Sequence, residues 1–137
     1  MKKKILVVED DEALAKLTRK RLVFSDFDVM IVPDAILATQ EVNRFRPDLV
    51  LLDLLLPAGG GLAVLQRLRA SVYTADTPVL VMSGLDREAD PDYFQQIEKL
   101  GIEEFIQKPF EGNRLVDVIK RILNEQNPDS PEEGKTH

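Results

Sequence analysis

The sequence predicts an α/β fold in which a parallel sheet is covered by helices on both faces. Three observations predict it. Short strand signals at 5–8, 27–32, 49–52, 79–82 and 102–106 alternate along the chain with five segments whose apolar residues recur at helical spacing. The runs at 5–8, 49–52 and 79–82 are apolar without interruption, as in strands buried on both faces of a parallel sheet. At 137 residues, 44% of them hydrophobic, the chain has enough apolar material for one domain with a proper core.

Each element follows from local signals. Residues 5–8 form the first strand, ended by Glu9, Asp10, Asp11 and Glu12. Leu14, Leu17 and Leu22 then recur at roughly helical spacing up to about residue 24, with Lys16, Arg19 and Lys20 on other faces and Asp10 or Asp11 as the N-cap. Ser25-Asp26 breaks this helix, and 27–32 is a short strand closed by Pro33-Asp34. A second helix runs to about residue 45, with Ile36, Leu37, Val42 and Phe45 as its candidate apolar contacts. Arg46-Pro47 stops it, because the residue before a proline is pushed out of helical conformation.

The third strand, 49–52, runs into Asp53. Pro57-Ala58-Gly59-Gly60-Gly61 predicts a loop free to adopt positive φ. Leu62, Leu65 and Leu68 mark a third helix ending near residue 71. Thr77-Pro78 opens the fourth strand, 79–82, which stops at Ser83-Gly84. A polar connection, 85–92, contains Pro91 and leads to a helix over roughly 93–100 that Gly101 caps. The strand at 102–106 delivers Gln107-Lys108-Pro109-Phe110, and a last helix carries Leu115, Val118, Ile119 and Ile122 on one face. From Glu125 the chain turns polar with no apolar anchor, so residues 1–124 are expected to form the domain and 125–137 a disordered tail or linker stub.

Composition narrows the function. The net charge of -6 argues against general affinity for nucleic acid or an anionic membrane. Without cysteine, neither disulfides nor thiolate metal sites are available. His137, the last residue, is the sole histidine, which excludes histidine chemistry inside the domain. The apolar run after Lys2, Lys3 and Lys4 is too short for a signal peptide or a membrane span, so a cytoplasmic protein is the default expectation.

In a parallel sheet all strands end on one rim, where open α/β sheets bind ligands. The first strand would deliver Glu9 and Asp10 there, the third Asp53, the fourth Ser83 and the fifth Lys108, provided that these strands lie side by side. Three carboxylates held together repel one another unless a proton or cation intervenes. Oxygen ligands without His or Cys suit a hard cation, and a few carboxylates with positions left to water suit Mg²⁺. With Lys108 on the other side, the group could offset the charge of a phosphoryl group in transfer, and an Asp can itself accept it. Taken singly each feature has a bland reading: a solvated helix N-terminus at Glu9 to Glu12, a turn at Ser83-Gly84, a surface Lys108. Their placement directly after apolar runs, in this order, favours the joint reading.

With these residues in place the sequence resembles the receiver domain of two-component response regulators, as in the single-domain chemotaxis type, across residues 4 to about 124. The acidic pair is matched by Glu9-Asp10; the phosphoacceptor with its following proline and glycine by Asp53, Pro57 and Gly61; the hydroxyl residue and its small neighbour by Ser83-Gly84; and the Lys-Pro-Phe motif by Lys108-Pro109-Phe110. The resemblance implies a doubly wound, flavodoxin-like sheet in the order 2-1-3-4-5 with five helices. It implies that Asp53 takes a phosphoryl group from a histidine kinase or phosphotransfer protein, or from a small phosphodonor. Asp10, Asp53 and the backbone carbonyl of Leu55 would bind Mg²⁺ directly, with Glu9 acting mainly through water. Ser83 would hydrogen-bond a phosphoryl oxygen and Lys108 would pair with Asp53 and then with the phosphoryl group. The Lys108-Pro109 bond is expected to be cis. Phe105 matches the aromatic switch that moves inward with Ser83, altering partner preference at the face of the fourth helix, fifth strand and fifth helix. The domain would thus be a regulatory phosphoacceptor rather than an enzyme, signalling to a target protein or a fused output domain, with room for a homodimer through that same face.

Departures from the family pattern carry expectations of their own. Glu9 replaces the commoner Asp, Gly60 stands where an Asp is usual, and Phe105 lacks the hydroxyl of the frequent Tyr. Leu55 and Leu85 occupy the positions that in this family flank the route of the hydrolytic water. Neither can orient a water, so slow self-dephosphorylation is expected, faster in Leu55→Asn and Leu85→Glu. Three rivals stand beside this reading. An unphosphorylated interaction module shares all its residues. A Mg²⁺-dependent phosphohydrolase with an aspartyl nucleophile would want a second acid where Leu55 stands, and a flavin module would want a phosphate-cradling loop where Glu9, Asp10 and Asp11 stand.

Overall fold

The computed structural model of the protein describes residues 1–56 and 60–126. Along the chain run β1 (Lys4–Val8), α1 (Glu12–Phe24), β2 (Asp28–Val32), α2 (Ala35–Phe45), β3 (Leu49–Asp53), α3 (Gly60–Ala70), β4 (Val79–Ser83), a 3-10 turn (Arg87–Ala89), α4 (Pro91–Lys99), β5 (Glu104–Gln107) and α5 (Gly112–Gln126). The strands form one parallel sheet in the order β2-β1-β3-β4-β5, the expected doubly wound topology. No described helix is long and apolar enough to cross a membrane.

Side-chain alternation in the central strands divides the core into two layers. Leu6, Val8, Val50, Leu52, Val79 and Val81 face α2, α3 and α4, where they meet Val42, Leu65 and Ile97 among others. Ile5, Val7, Leu49, Leu51, Leu80 and Met82 face α1 and α5, meeting Leu22, Leu115, Ile119 and Ile122. The helix starts are fixed by aspartates: Asp11, Asp34 and Asp90 accept from the amides of Leu14, Leu37 and Tyr93 at 3.1, 2.8 and 3.2 Å. Each such cap contributes about 1 kcal/mol.

In two helices Leu22 and Val42 point inward as expected, but the rest of the inward face differs from the one the large apolar residues suggest. In α1 the buried residues are Ala15, Thr18 and Leu22, while Leu17 is 43% exposed. In α2 Ala35, Ala38 and Val42 are buried, whereas Ile36 and Leu37 lie outward. A stripe of small side chains lets a helix axis approach the sheet closely, and that packing outweighs the hydrophobicity of single leucines. Boundaries shift too. The fourth helix starts at Pro91, with Asp90 as N-cap and the proline in its first turn, where its missing N–H costs nothing. Gly101 follows the cap residue Leu100 with φ of +83°, the left-handed position that ends many helices. Gly60 and Gly61, expected in the loop, already belong to α3, and the rest of that loop, 57–59, lies outside the described residues. Helix α5 takes in the first two residues of the expected tail, and 127–137 lie outside the described residues.

Arg69 ties the lower ends of α3 and α4 together. Its guanidinium donates to the carbonyls of Leu100 and Gly101 at 2.8 and 2.7 Å, and to those of Thr74 and Thr77 at 3.2 and 2.8 Å. The far end of α4 is thereby anchored.

Candidate functional site

The expected residues meet at the carboxyl rim of the sheet. β1 ends at Val8, so Glu9 and Asp10 lie just beyond it, while Asp53 and Ser83 are the last residues of β3 and β4. Backbone bonds extend the ladders past the strands and fix these positions: Glu9 N–H donates to Val32 O at 3.0 Å, and Lys108 N–H to Ser83 O at 2.8 Å. The Lys108-Pro109 bond is cis, as expected. Gly61 stands where the helix start grazes the strand end; a Cβ there would lie 2.8 Å from Leu54 Cα and 2.9 Å from Asp53 O. β3 and α3 can approach this closely only without a side chain at 61.

Glu9 and Asp53 are buried, and Asp10 is exposed beside them. A buried carboxylate needs a partner of opposite charge or a proton. Lys108 supplies the charge for both: its Nζ lies 2.9 Å from Asp53 Oδ2 and 3.0 Å from Glu9 Oε1. The remaining oxygens take backbone donors, Leu55 N–H to Asp53 Oδ1 at 3.0 Å and Asp11 N–H to Glu9 Oε2 at 3.2 Å. Burial pushes the Glu9 carboxyl above its ordinary value, the nearby Asp53 charge adds to this, and the bond from Lys108 opposes it without cancelling it. Burial works against the charge of Lys108, yet the two carboxylates outweigh it and hold its pKa above the ordinary lysine value.

The Glu9–Lys108 pair is a contact that the sequence reading missed, since it assigned Lys108 to Asp53 and Glu9 to water. Its signal was the glutamate itself, whose extra methylene lets the carboxylate reach Lys108. Ser83 is fully buried, and its Oγ accepts from Leu85 N–H at 3.2 Å, which leaves the hydroxyl proton free to be donated. Leu55 is 54% exposed and Leu85 is partly buried. Phe105 is partly buried, edge-on to Phe94 with ring centroids 5.2 Å apart, and the Arg87 guanidinium lies 5.3 Å from its centroid. Tyr93, which sequence reasoning did not single out, places its hydroxyl 3.4 Å from the carbonyl of Leu54, the residue after Asp53. Burial raises its pKa; a backbone hydrogen bond from Leu62 opposes that rise, and Asp90 and Asp53 add to it.

One carboxylate oxygen from each of Glu9, Asp10 and Asp53 falls within 4.8 Å of the others. Three hard oxygen donors converging at a partly open rim fit Mg²⁺, which keeps several waters and accepts few protein ligands. The exposure of Asp10 leaves that side open to water.

Comparison with known proteins places the chain among signalling proteins. The response regulator receiver domain, as a family profile, matches residues 5–120. The DNA-binding response regulator MtrA of Mycolicibacterium paratuberculosis is 35% identical over 133 residues, which make up 97% of this chain and 56% of MtrA. The DNA-binding dual master transcriptional regulator RpaA of Synechocystis is 32% identical over 120 residues, 88% of this chain and 48% of RpaA. The chain thus spans about half the length of the curated relatives it matches. Among solved structures, the phosphorylated cyanobacterial phytochrome response regulator RcpA is 27% identical with a TM-score of 0.75, covering 96% of this chain and 100% of its own.

Proposed function

Because the chain belongs to the response regulator receiver family, we propose that it is a phosphorylation-controlled switch in which Asp53 accepts a phosphoryl group from a histidine kinase or histidine phosphotransfer protein. The observation that carries this reading is the bridge from Lys108 to two buried carboxylates, Asp53 and Glu9, at the strand ends. A carboxylate so held is positioned and desolvated, and its charge is offset by a cation that can turn to the product.

In the transfer, an Asp53 oxygen forms a bond to phosphorus as the phosphorus–nitrogen bond of the donor breaks, and the imidazole leaves with the electron pair. Lys108 then pairs with the new phosphoryl oxygens, and the Ser83 hydroxyl donates to one of them. Asp10, Asp53 and the Leu55 carbonyl would hold Mg²⁺, with Glu9 reaching it through water. When bound, the metal offsets charge on the group in transfer. Movement of Ser83 toward the phosphoryl group vacates space that Phe105 enters. The surface of α4, β5 and α5 changes with it and presents a different face to a target protein or a joined output domain.

Intact mass after incubation with Mg²⁺ and a small acyl phosphate tests the acceptor, with Asp53→Asn as control. The expected result is a gain of one phosphoryl group in the parent alone. No gain in a parent that binds Mg²⁺ refutes the reading and favours an interaction module that works unphosphorylated.

A further inference from the structure

Helices α2 and α3 do not close completely on each other over the sheet. Ala38 is one of the small residues that α2 turns inward, and beside it lies a cavity of about 50 Å³. Its walls are Leu6 of β1, Ala38 and Val42 of α2, and Val64 and Leu68 of α3, all of them buried. One water takes about 10–15 Å³ on this scale, so the space holds one branched aliphatic group. The mouth is different. Thr39 and Asn43 of α2 and Arg67 and Ser71 of α3 surround it. The Arg67 guanidinium reaches across from α3 to α2, where its Nη1 lies 3.5 Å from Thr39 Oγ1. That hydroxyl gives its own proton to Ala35 O at 2.9 Å, so towards Arg67 it accepts. One long hydrogen bond leaves most of the guanidinium donors unused, and among the described residues no carboxylate pairs with Arg67. Ser71 Oγ accepts from Tyr73 N–H at 3.3 Å, which leaves its proton to be donated. No residue along the walls or around the mouth is acidic, in a chain whose net charge is -6.

We propose that the cleft between α2 and α3 binds a small carboxylic acid with a short branched aliphatic chain. None of its residues belongs to the site around Asp53. The chain fills the cavity, where its burial removes apolar surface from water. The carboxylate lies under the Arg67 guanidinium as a charge-assisted pair, with the Ser71 hydroxyl as a second donor. An apolar lining with a few polar groups that fix orientation is the usual build of a small-molecule site. A free acid carries both features in one molecule, and one branch with one carboxylate is all that this cavity and this cation can take up. An aliphatic side chain of a protein partner would fill the cavity but leave Arg67 without its anion.

Isocaproate is the probe, followed through the backbone amide resonances of the isotope-labelled protein near neutral pH. The amides of Ala38, Val42, Val64 and Leu68 should shift saturably with a dissociation constant on the order of 1 mM, as suits so small a ligand. Acetate, which has the charge without the chain, should leave them in place. Arg67→Gln should weaken isocaproate about 3- to 10-fold, the factor for an exposed charge-assisted contact. Isocaproamide should bind the parent as weakly as isocaproate binds that variant. Ala38→Val takes up the cavity and should abolish the isocaproate shifts in a protein whose own spectrum shows it folded. No saturable shift in the parent up to about 20 mM overturns the site. Equal binding of acid and amide by the parent overturns Arg67 as the partner of the carboxylate, and shifts that persist in folded Ala38→Val overturn the cavity as the place of the chain. Tighter binding of N-acetylleucinamide than of isocaproate overturns the small acid in favour of a partner peptide.

Discussion

Replacing Lys108 with methionine removes the cation that faces Glu9 and Asp53 and keeps most of the side-chain volume. At separations of 3.0 and 2.9 Å and an effective dielectric of about 20, each pair attracts by about 5 kcal/mol before desolvation is subtracted. Removing one partner of a buried pair usually costs about 3–5 kcal/mol, because a charge is left buried alone. Here the Lys108 side chain is 21% exposed, so water and proton uptake relieve part of the strain, and a loss of about 2–3 kcal/mol near pH 7.5 is expected. The sign of the pH dependence follows from Glu9. Its folded pKa already lies above the ordinary 4.5, so between those values the folded chain holds more protons than the unfolded one, and stability falls as pH rises. Losing the Lys108 bond, which lowers that pKa, stretches the window upward. The destabilisation by Lys108→Met should therefore be small at pH 5 and grow toward pH 7.5. Urea unfolding in the presence of a chelator measures it, and added Mg²⁺ should restore the variant more than the parent because the cation takes over the neutralisation. A destabilisation that is equal at both pH values and indifferent to Mg²⁺ would refute the assignment of a linked charge cluster.

Gly61→Ala should destabilise the fold by about 1–3 kcal/mol and slow phosphorylation by an acyl phosphate, because the new Cβ meets the backbone of Leu54 and Asp53 under 3 Å; unfolding curves and intact-mass kinetics measure the two effects. Leu55→Asn with Leu85→Glu should shorten the lifetime of the phosphorylated form several-fold, measured as loss of the mass increment after donor removal, since both side chains then hydrogen-bond water. An unchanged decay rate would dismiss the water-exclusion reading. Arg69→Ala should cost about 2–4 kcal/mol in urea unfolding, because four carbonyls lose a charged donor at once, while leaving phosphorylation of Asp53 in the folded protein intact.

What was legible in the sequence, and what was not, divides along a physical line. The strands could be read because Leu49 to Leu52 and Val79 to Met82 are continuous apolar runs, and a run of that kind has few alternatives. The site could be read because Glu9, Asp53 and Ser83 directly follow such runs, with Asp10 one residue on and Lys108 two residues past the fifth strand signal, and the topology then brings them to one rim. The inward faces of α1 and α2 could be read only in part: Leu22 and Val42 are buried as expected, but Ala15, Thr18, Ala35 and Ala38 are chosen by how closely a helix can approach the sheet, a quantity that hydrophobic spacing does not encode. The same holds for Tyr93 and for the Glu9–Lys108 pair. Both are contacts between elements far apart in sequence, 39 residues for Tyr93 to Leu54 and 99 for Lys108 to Glu9, fixed only once the packing exists.

The energy scale of the proposed switch follows from the surroundings of Phe105. Lacking a hydroxyl, this ring makes no hydrogen bond and is held edge-on to Phe94 and against the Arg87 guanidinium, which pairs with Glu98 at 3.3 Å. The cation contact stabilises this position of the ring by about 0.5–1 kcal/mol. In the proposed switch a single hydrogen bond from Ser83 to a phosphoryl oxygen, about 1 kcal/mol, would match that contact and change the ratio of ring positions several-fold, so that a small displacement at the buried rim would become a change of surface at α4, β5 and α5.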